Sequence, residues 1–263
     1  DLEVWDKKPV TAWYRKTPLI RGIFNFVISM KEGYRCLMKS AEKQMDDEET
    51  PEDEKLSDKA MNIIMTVAMI LGIVLAVGLV FLPKWLVNFS DTLTENRYLR
   101  SLSEGIIKIV IFIAYLGCTA LMKDLRRTYE YHGAEHKTIA CLEAGLELTV
   151  DNVKKQKRFH PRCGTSFLFI TLIISILVMC LVPFTIVWQR VIASIILIPV
   201  MVGISYELIR IAGRYDNILT RIISAPGLYI QRLTTKEPNE KQIEVAIEAI
   251  KPCIPENPEE DRW

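Results

Sequence analysis

The chain lacks an excess of either charge. Its formal net charge is +1 over 263 residues, which excludes a general electrostatic attraction to nucleic acid. It also lacks a disulfide framework. The six cysteines, Cys36, Cys118, Cys141, Cys163, Cys180 and Cys253, are not densely or regularly spaced as in small secreted scaffolds, and two fall inside apolar stretches, so reduced thiols are expected. No charged start with a short apolar core and a small-residue cleavage site opens the sequence, so no signal peptide is read. The first residue is Asp1 rather than Met, and the chain is expected to begin inside a longer protein. Internal repeats are absent. Histidine is scarce: there are three, all between residues 132 and 160.

What the chain has in quantity is hydrophobic residues, half of the total. They are gathered into long blocks rather than spread at helical period, and a bilayer-spanning helix needs about 20 in succession. Met61 to Leu82, Ile106 to Met122, Phe167 to Trp188 and Val191 to Ala212 are the four candidates. The last spans only if Glu207 and Arg210 face protein or an interface. Between the second and third blocks lie Lys123, Arg126, Arg127, Lys137, Lys154, Lys155, Lys157, Arg158 and Arg162. The positive-inside rule places that segment, and with it both termini, in the cytoplasm. Arg190 is expected in a two-residue turn between the last two spans. Pro18 to Lys39 reads as an amphipathic helix lying on the membrane or against other helices. The acid-rich run Lys43 to Lys59 reads as a solvated linker, and the tail around Pro252, Pro255 and Pro258 as disordered.

The expected fold is therefore all-α: a polytopic plasma-membrane protein of about four transmembrane helices, with an N-terminal amphipathic helix and a cytoplasmic metal-binding loop. Its segments are 1–60, a cytoplasmic N-terminal region; 61–122, a first transmembrane pair; 123–166, the histidine segment; 167–212, a second pair; and 213–263, a cytoplasmic C-terminal region. The lipid bilayer is the expected partner, with other membrane proteins as further candidates.

Tyr131-His132-Gly133-Ala134-Glu135-His136 contains H-x-x-E-H, the reverse of the H-E-x-x-H zinc-peptidase pattern. Residues four apart on a helix share a face, so His132 and His136 can chelate one ion, and Glu135 falls beside that stripe where a general base is needed. The helix is expected to run on from the second span and to stop at Gly145. Glu143 returns to the histidine azimuth two turns on and is an outer-shell candidate, whereas Cys141 points away and is expected to pack. His160-Pro161-Arg162-Cys163-Gly164 reads like a zinc knuckle in which histidine replaces the first cysteine. The expected ligands are thus His132, His136, His160 and Cys163, with Zn2+ favoured by nitrogen and sulfur donors. The basic run Lys154 to Arg158 is read first as positive-inside charge. Four protein ligands would make the site structural, and an open position would make it catalytic. Both readings stand at this point.

The same residues, Tyr131 to Lys137, Leu148-Thr149-Val150 with Asn152, and His160 to Phe167, together with Ala225 to Pro238 and Ile243 to Ala246, resemble the bacterial YqhQ-like family of membrane proteins. That family is a domain of unknown function labelled a predicted metal-dependent enzyme. The resemblance implies a Gly-rich, Arg-containing segment preceding Asp1, and a Pro226 to Pro238 element packed beside the histidine loop. Two functions follow. One is a zinc hydrolase at the cytoplasmic membrane face, with Glu135 as base and Arg162 steadying a carbonyl oxygen, peptide being the substrate by motif analogy. The other is a non-enzymatic scaffold or biogenesis factor with a structural zinc. A transporter reading on Glu207 and Arg210 lacks a broken-helix pair in the sequence pattern.

Overall fold

The computed structural model describes residues 2–5, 13–45, 58–90, 95–215 and 217–254. Among them all regular structure is helical: α1 (Ile20–Met45), α2 (Asp58–Val87), α3 (Arg97–Leu121), α4 (Lys123–Glu143), α5 (Val150–Lys154), α6 (Gly164–Leu181), α7 (Val187–Ile196), α8 (Ile198–Arg214), α9 (Ile218–Thr234) and α10 (Glu240–Ile250), with short 3-10 turns at Trp13–Arg15 and Lys251–Cys253. The expected amphipathic helix is α1. Most of the acidic run falls outside the described residues, as do Pro255 and Pro258.

Among the described residues two helices, α3 and α6, are long and apolar enough to cross a membrane, with a third span if α7 and α8 are counted as one helix bent by 50°. Leu121, Leu177 and Leu181 stand well exposed, as suits hydrocarbon and not water. The first expected block falls in α2, of which Gly72–Val87 is a shorter apolar helix. Two expectations are corrected by proline. The third block does not run to Trp188 but stops at Leu181, because Pro183 disfavours helical backbone at Val182. The fourth block breaks at Leu197, because Pro199 has no N–H for the turn before it and fits only the first turn of a new helix.

The chain divides into two compact units. One comprises Trp13–Lys108 and Ile176–Gly203. Its interior holds an ionic network. Arg190, fully buried, donates from Nε and Nη2 to the two oxygens of Glu104 at 2.9 and 3.0 Å, from Nη2 to Ser101 Oγ and from Nη1 to the Phe184 carbonyl. Arg100 donates to the same carboxylate at 3.3 Å and to the Thr185 carbonyl. Arg190 is thus not in a turn. Buried charge survives only where partners satisfy it, and Glu104 supplies both arginines with one.

The other unit comprises Asp1–Ala12, Ile109–Ser175 and Ile204–Trp263. Here α4 packs on α5 and α10 around Ala134, Cys141, Val153, Ile243 and Ile247, so Cys141 is a packing residue as expected. A second cluster of Leu116, Phe169 and Ile230 joins α3, α6 and α9. Asparagine starts both C-terminal helices: Asn217 with Thr220, and Asn239 with Gln242, form capping boxes that satisfy the first free N–H groups.

Candidate metal centre

The centre is built on α4, which does not continue α3. Met122 is extended between them, a one-residue hinge where an unbroken helix was expected. At its other end α4 stops as the sequence indicates. Gly145 adopts φ 65°, its N–H bonds the Leu142 carbonyl, and Leu146 N–H bonds Cys141 O at 3.1 Å. This is a Schellman end, which requires the left-handed residue that glycine supplies.

Across the face of α4 runs the segment after α9. Lys236 N–H bonds the Tyr129 carbonyl at 2.8 Å, and a Cβ on Gly133 would lie 2.0 Å from Lys236 O. Glycine is therefore the residue that lets this backbone pass. Gly227 plays the same part against Ser166, where a Cβ would meet the serine Cβ at 2.6 Å. Fully buried Gln231 then clamps the histidine loop. Its Oε1 accepts from His160 N–H at 2.8 Å, and its Nε2 donates to the His160 carbonyl and to Ser166 Oγ. The Pro226 to Pro238 element does lie beside the histidine loop.

Within this frame one turn of helix sets the His132 and His136 rings 4.4 Å apart. His132 Nδ1 is 2.8 Å from the Thr234 carbonyl, and His136 Nδ1 is 2.7 Å from the Arg158 carbonyl. A carbonyl only accepts, so both rings carry a proton on Nδ1, and Nε2 is the nitrogen each leaves for another partner. His132 Nε2 lies 3.3 Å from Cys163 Sγ, which also meets Thr165 Oγ1 at 3.1 Å. Burial works to keep the thiol protonated, but hydrogen bonds from His132, His136 and Thr165 prevail and pull its pKa down to about 5. For His132 burial opposes the charge, yet the bond and charge of Cys163, the Thr234 carbonyl and Glu135 together outweigh it and the pKa rises.

The donor atoms of His132, His136 and Cys163 all lie within 4.8 Å of one another. This is the set that could hold a metal ion, and its surroundings fit one: ligating histidines usually donate their second nitrogen to a carbonyl or carboxylate, which fixes ring and tautomer. His160 stands outside this set. Its Nδ1 accepts from Arg162 N–H at 3.3 Å and its Nε2 donates to Glu143 Oε2 at 3.1 Å, although its ring is 5.9 Å from that of His136. Glu143 also binds Arg162, and the histidine bond leads in holding its carboxyl below the usual range, burial opposing and Arg162 assisting.

A cavity of about 550 Å³ opens on these groups, with Glu135, Glu143, Arg162 and the three histidines in its wall. The structure thus brings together every expected site residue, but in two sets: His132, His136 and Cys163 converge, while His160, Glu143 and Arg162 form a chain beside them. Glu207 and Arg210 lie half-buried on α8, outside both sets. Gln231, Thr165 and the Thr234 and Arg158 carbonyls are participants that the sequence reading missed. Of these, Gln231 and Thr165 stand in the stretches that carry the family resemblance.

A family model described as "Protein of unknown function (DUF1385)" matches residues 17–256. The chain belongs to that family. DUF1385 membership agrees with a 34% identity over 244 residues to the uncharacterized protein YqhQ of Bacillus subtilis (strain 168), covering 90% of this chain and 76% of that one. No solved structure matches.

Proposed function

We propose that this DUF1385 chain is a zinc-dependent hydrolase at the cytoplasmic face of the plasma membrane, acting on a peptide carbonyl. The observation that carries the reading is the convergence of three donors, each imidazole locked through Nδ1 so that Nε2 faces the set. Mixed nitrogen and sulfur donors favour zinc, and three protein ligands with one position open are the pattern of a catalytic site. A structural role is less well supported, because Gln231 already holds the loop without a metal. The membrane placement rests on the apolar helices and on the basic residues between α3 and α6.

Zinc, when bound, supplies the Lewis acidity that activates water and polarises a carbonyl. Glu135, exposed in the cavity wall, takes the proton from the attacking water and returns it to the leaving amine. Arg162, held by Glu143, directs its N–H groups at the oxygen where charge develops. His160 positions Glu143 and through it Arg162.

The test uses the full chain in neutral detergent with a fluorogenic peptide library and elemental analysis of bound metal. Glu135→Gln should lower turnover by about 10²–10⁴-fold at unchanged zinc content, whereas Cys163→Ser should lose zinc. His160→Ala should keep the metal. Full activity in Glu135→Gln, or zinc retained without turnover by the unaltered protein, would overturn the hydrolase.

A further inference from the structure

Behind the histidine loop lies a second and larger cavity, of about 670 Å³. The loop divides the two. His160 and Arg162 face the metal-side cavity, while Phe159 and Pro161, which alternate with them, face this one. Four cations line it, Lys157, Arg214, Arg221 and Arg232, and among the described lining residues there is no carboxylate. Two of the guanidinium groups are held over aromatic rings, Arg232 over Tyr229 at 4.9 Å and Arg214 over Tyr215 at 5.7 Å. The hydroxyls of Thr220 and Ser224 complete one wall of α9, whose positively polarised first turn includes Thr220 and Arg221.

We propose that this cavity binds a phosphate ester, its phosphate on the arginines and its organic portion on the apolar wall. Cations gathered in one concavity raise the positive potential there, and an entering anion is drawn to it. Arginine's fork matches phosphate oxygens in pairs, and prior stacking on an aromatic ring reduces the freedom lost on binding. The volume exceeds what an inorganic ion fills and falls within the 300–1,000 Å³ typical of small-molecule sites. Phe159, Pro161 and Leu228 supply an apolar surface for the remainder of the molecule.

Ala212 to Arg214, in the wall, end α8, the second half of the bent candidate span. The ester can therefore come from a lipid headgroup or from solution. The cavity is linked to the metal side through Arg162, whose stem lies so close to Gly213 that a Cβ there would meet Cδ at 2.7 Å. The proposal stands without the hydrolase reading, since it uses none of the metal-side donors.

The test titrates the full chain in neutral detergent. Phosphatidylglycerol and phosphatidylcholine are compared by native mass spectrometry, and glycerol 3-phosphate is followed by calorimetry. Saturable one-site binding of phosphatidylglycerol or of glycerol 3-phosphate is expected, the responding probe identifying the source. Replacing two of the three arginines, Arg221→Gln with Arg232→Gln, should weaken it about tenfold or more, the worth of one lost charge-assisted bond. Ala225→Phe, which fills the cavity and leaves the charges, should do the same. Arg126→Gln, at an exposed arginine outside the cavity, should change nothing. Failure of both probes to bind, equal uptake of phosphatidylcholine, or unchanged affinity in the double variant and in Ala225→Phe would overturn the proposal.

Discussion

Gly133→Ala adds one methyl group to α4 and should destabilise the protein, although alanine is the better helix former. The propensity gain is about 1 kcal/mol. Against it, the new Cβ would sit 2.0 Å from Lys236 O, whereas ordinary contact begins at 3.4 Å, so a backbone segment must retreat by more than an ångström. Overpacking of this kind costs about 1–3 kcal/mol. The retreating segment also carries Lys236 N–H, bonded to Tyr129, and the Thr234 carbonyl that orients His132, each bond worth about 1 kcal/mol. The net loss is then about 2–4 kcal/mol, read as a lowered midpoint in thermal unfolding of the detergent-solubilised chain followed by circular dichroism. Metal affinity should fall with it by about 10–100-fold, the usual cost of disturbing a ligand's outer partner. Gly33→Ala on α1 is the control: a Cβ there meets nothing within 4 Å, and a gain of about 0.5–1 kcal/mol is expected. If Gly133→Ala tracked Gly33→Ala in stability and kept its metal affinity, the packing of the 235–238 segment on α4 would be refuted.

Two further outcomes test the electrostatics. In chelator-treated protein the Cys163 thiol, lowered from 9.0 to about 5, contributes stability that is present in full above its unfolded pKa and is lost as pH falls through the folded value. His132, raised above 6.5, contributes in the opposite sense, in full below 6.5 and lost as pH rises through its folded pKa. The thiolate ultraviolet absorbance, taken as the difference from Cys163→Ser, should titrate near pH 5, and a midpoint near the ordinary thiol value would contradict the His132–Cys163 contact. In the other unit, Glu104→Gln leaves two buried arginines without their shared carboxylate and should cost about 3–5 kcal/mol in detergent-driven unfolding. A loss below about 1 kcal/mol would show that water reaches the network.

What the sequence disclosed about this molecule follows the range over which each interaction acts. The His132–His136 pair was legible because a helix fixes residues four apart by geometry alone, and Gly145 because a helix end needs a left-handed residue. Cys163 was legible as a donor; its companion in the loop, His160, was expected on the metal, and the structure gives its two nitrogens to Arg162 N–H and Glu143. Local spacing cannot distinguish a ring that coordinates from one that bridges, because the deciding partner lies on another helix. The carbonyls of Thr234 and Arg158, which set the tautomers of His132 and His136, leave no trace in a sequence, since every residue has a carbonyl.

The same limit governs the apolar helices. Hydropathy sums residues one at a time, so it located the blocks but passed over the breaks at Pro183 and Pro199, where one missing N–H or one restricted neighbour outweighs many favourable neighbours. It also sent Arg190 to a turn as an unpaired charge, when a carboxylate 86 residues away makes its burial possible. A charge within an apolar block is thus better read as a demand for a partner than as a boundary. Arg100, Glu104 and Arg190 meet that demand among themselves, which is why α3 can bury Arg100 and Glu104 in its first turns.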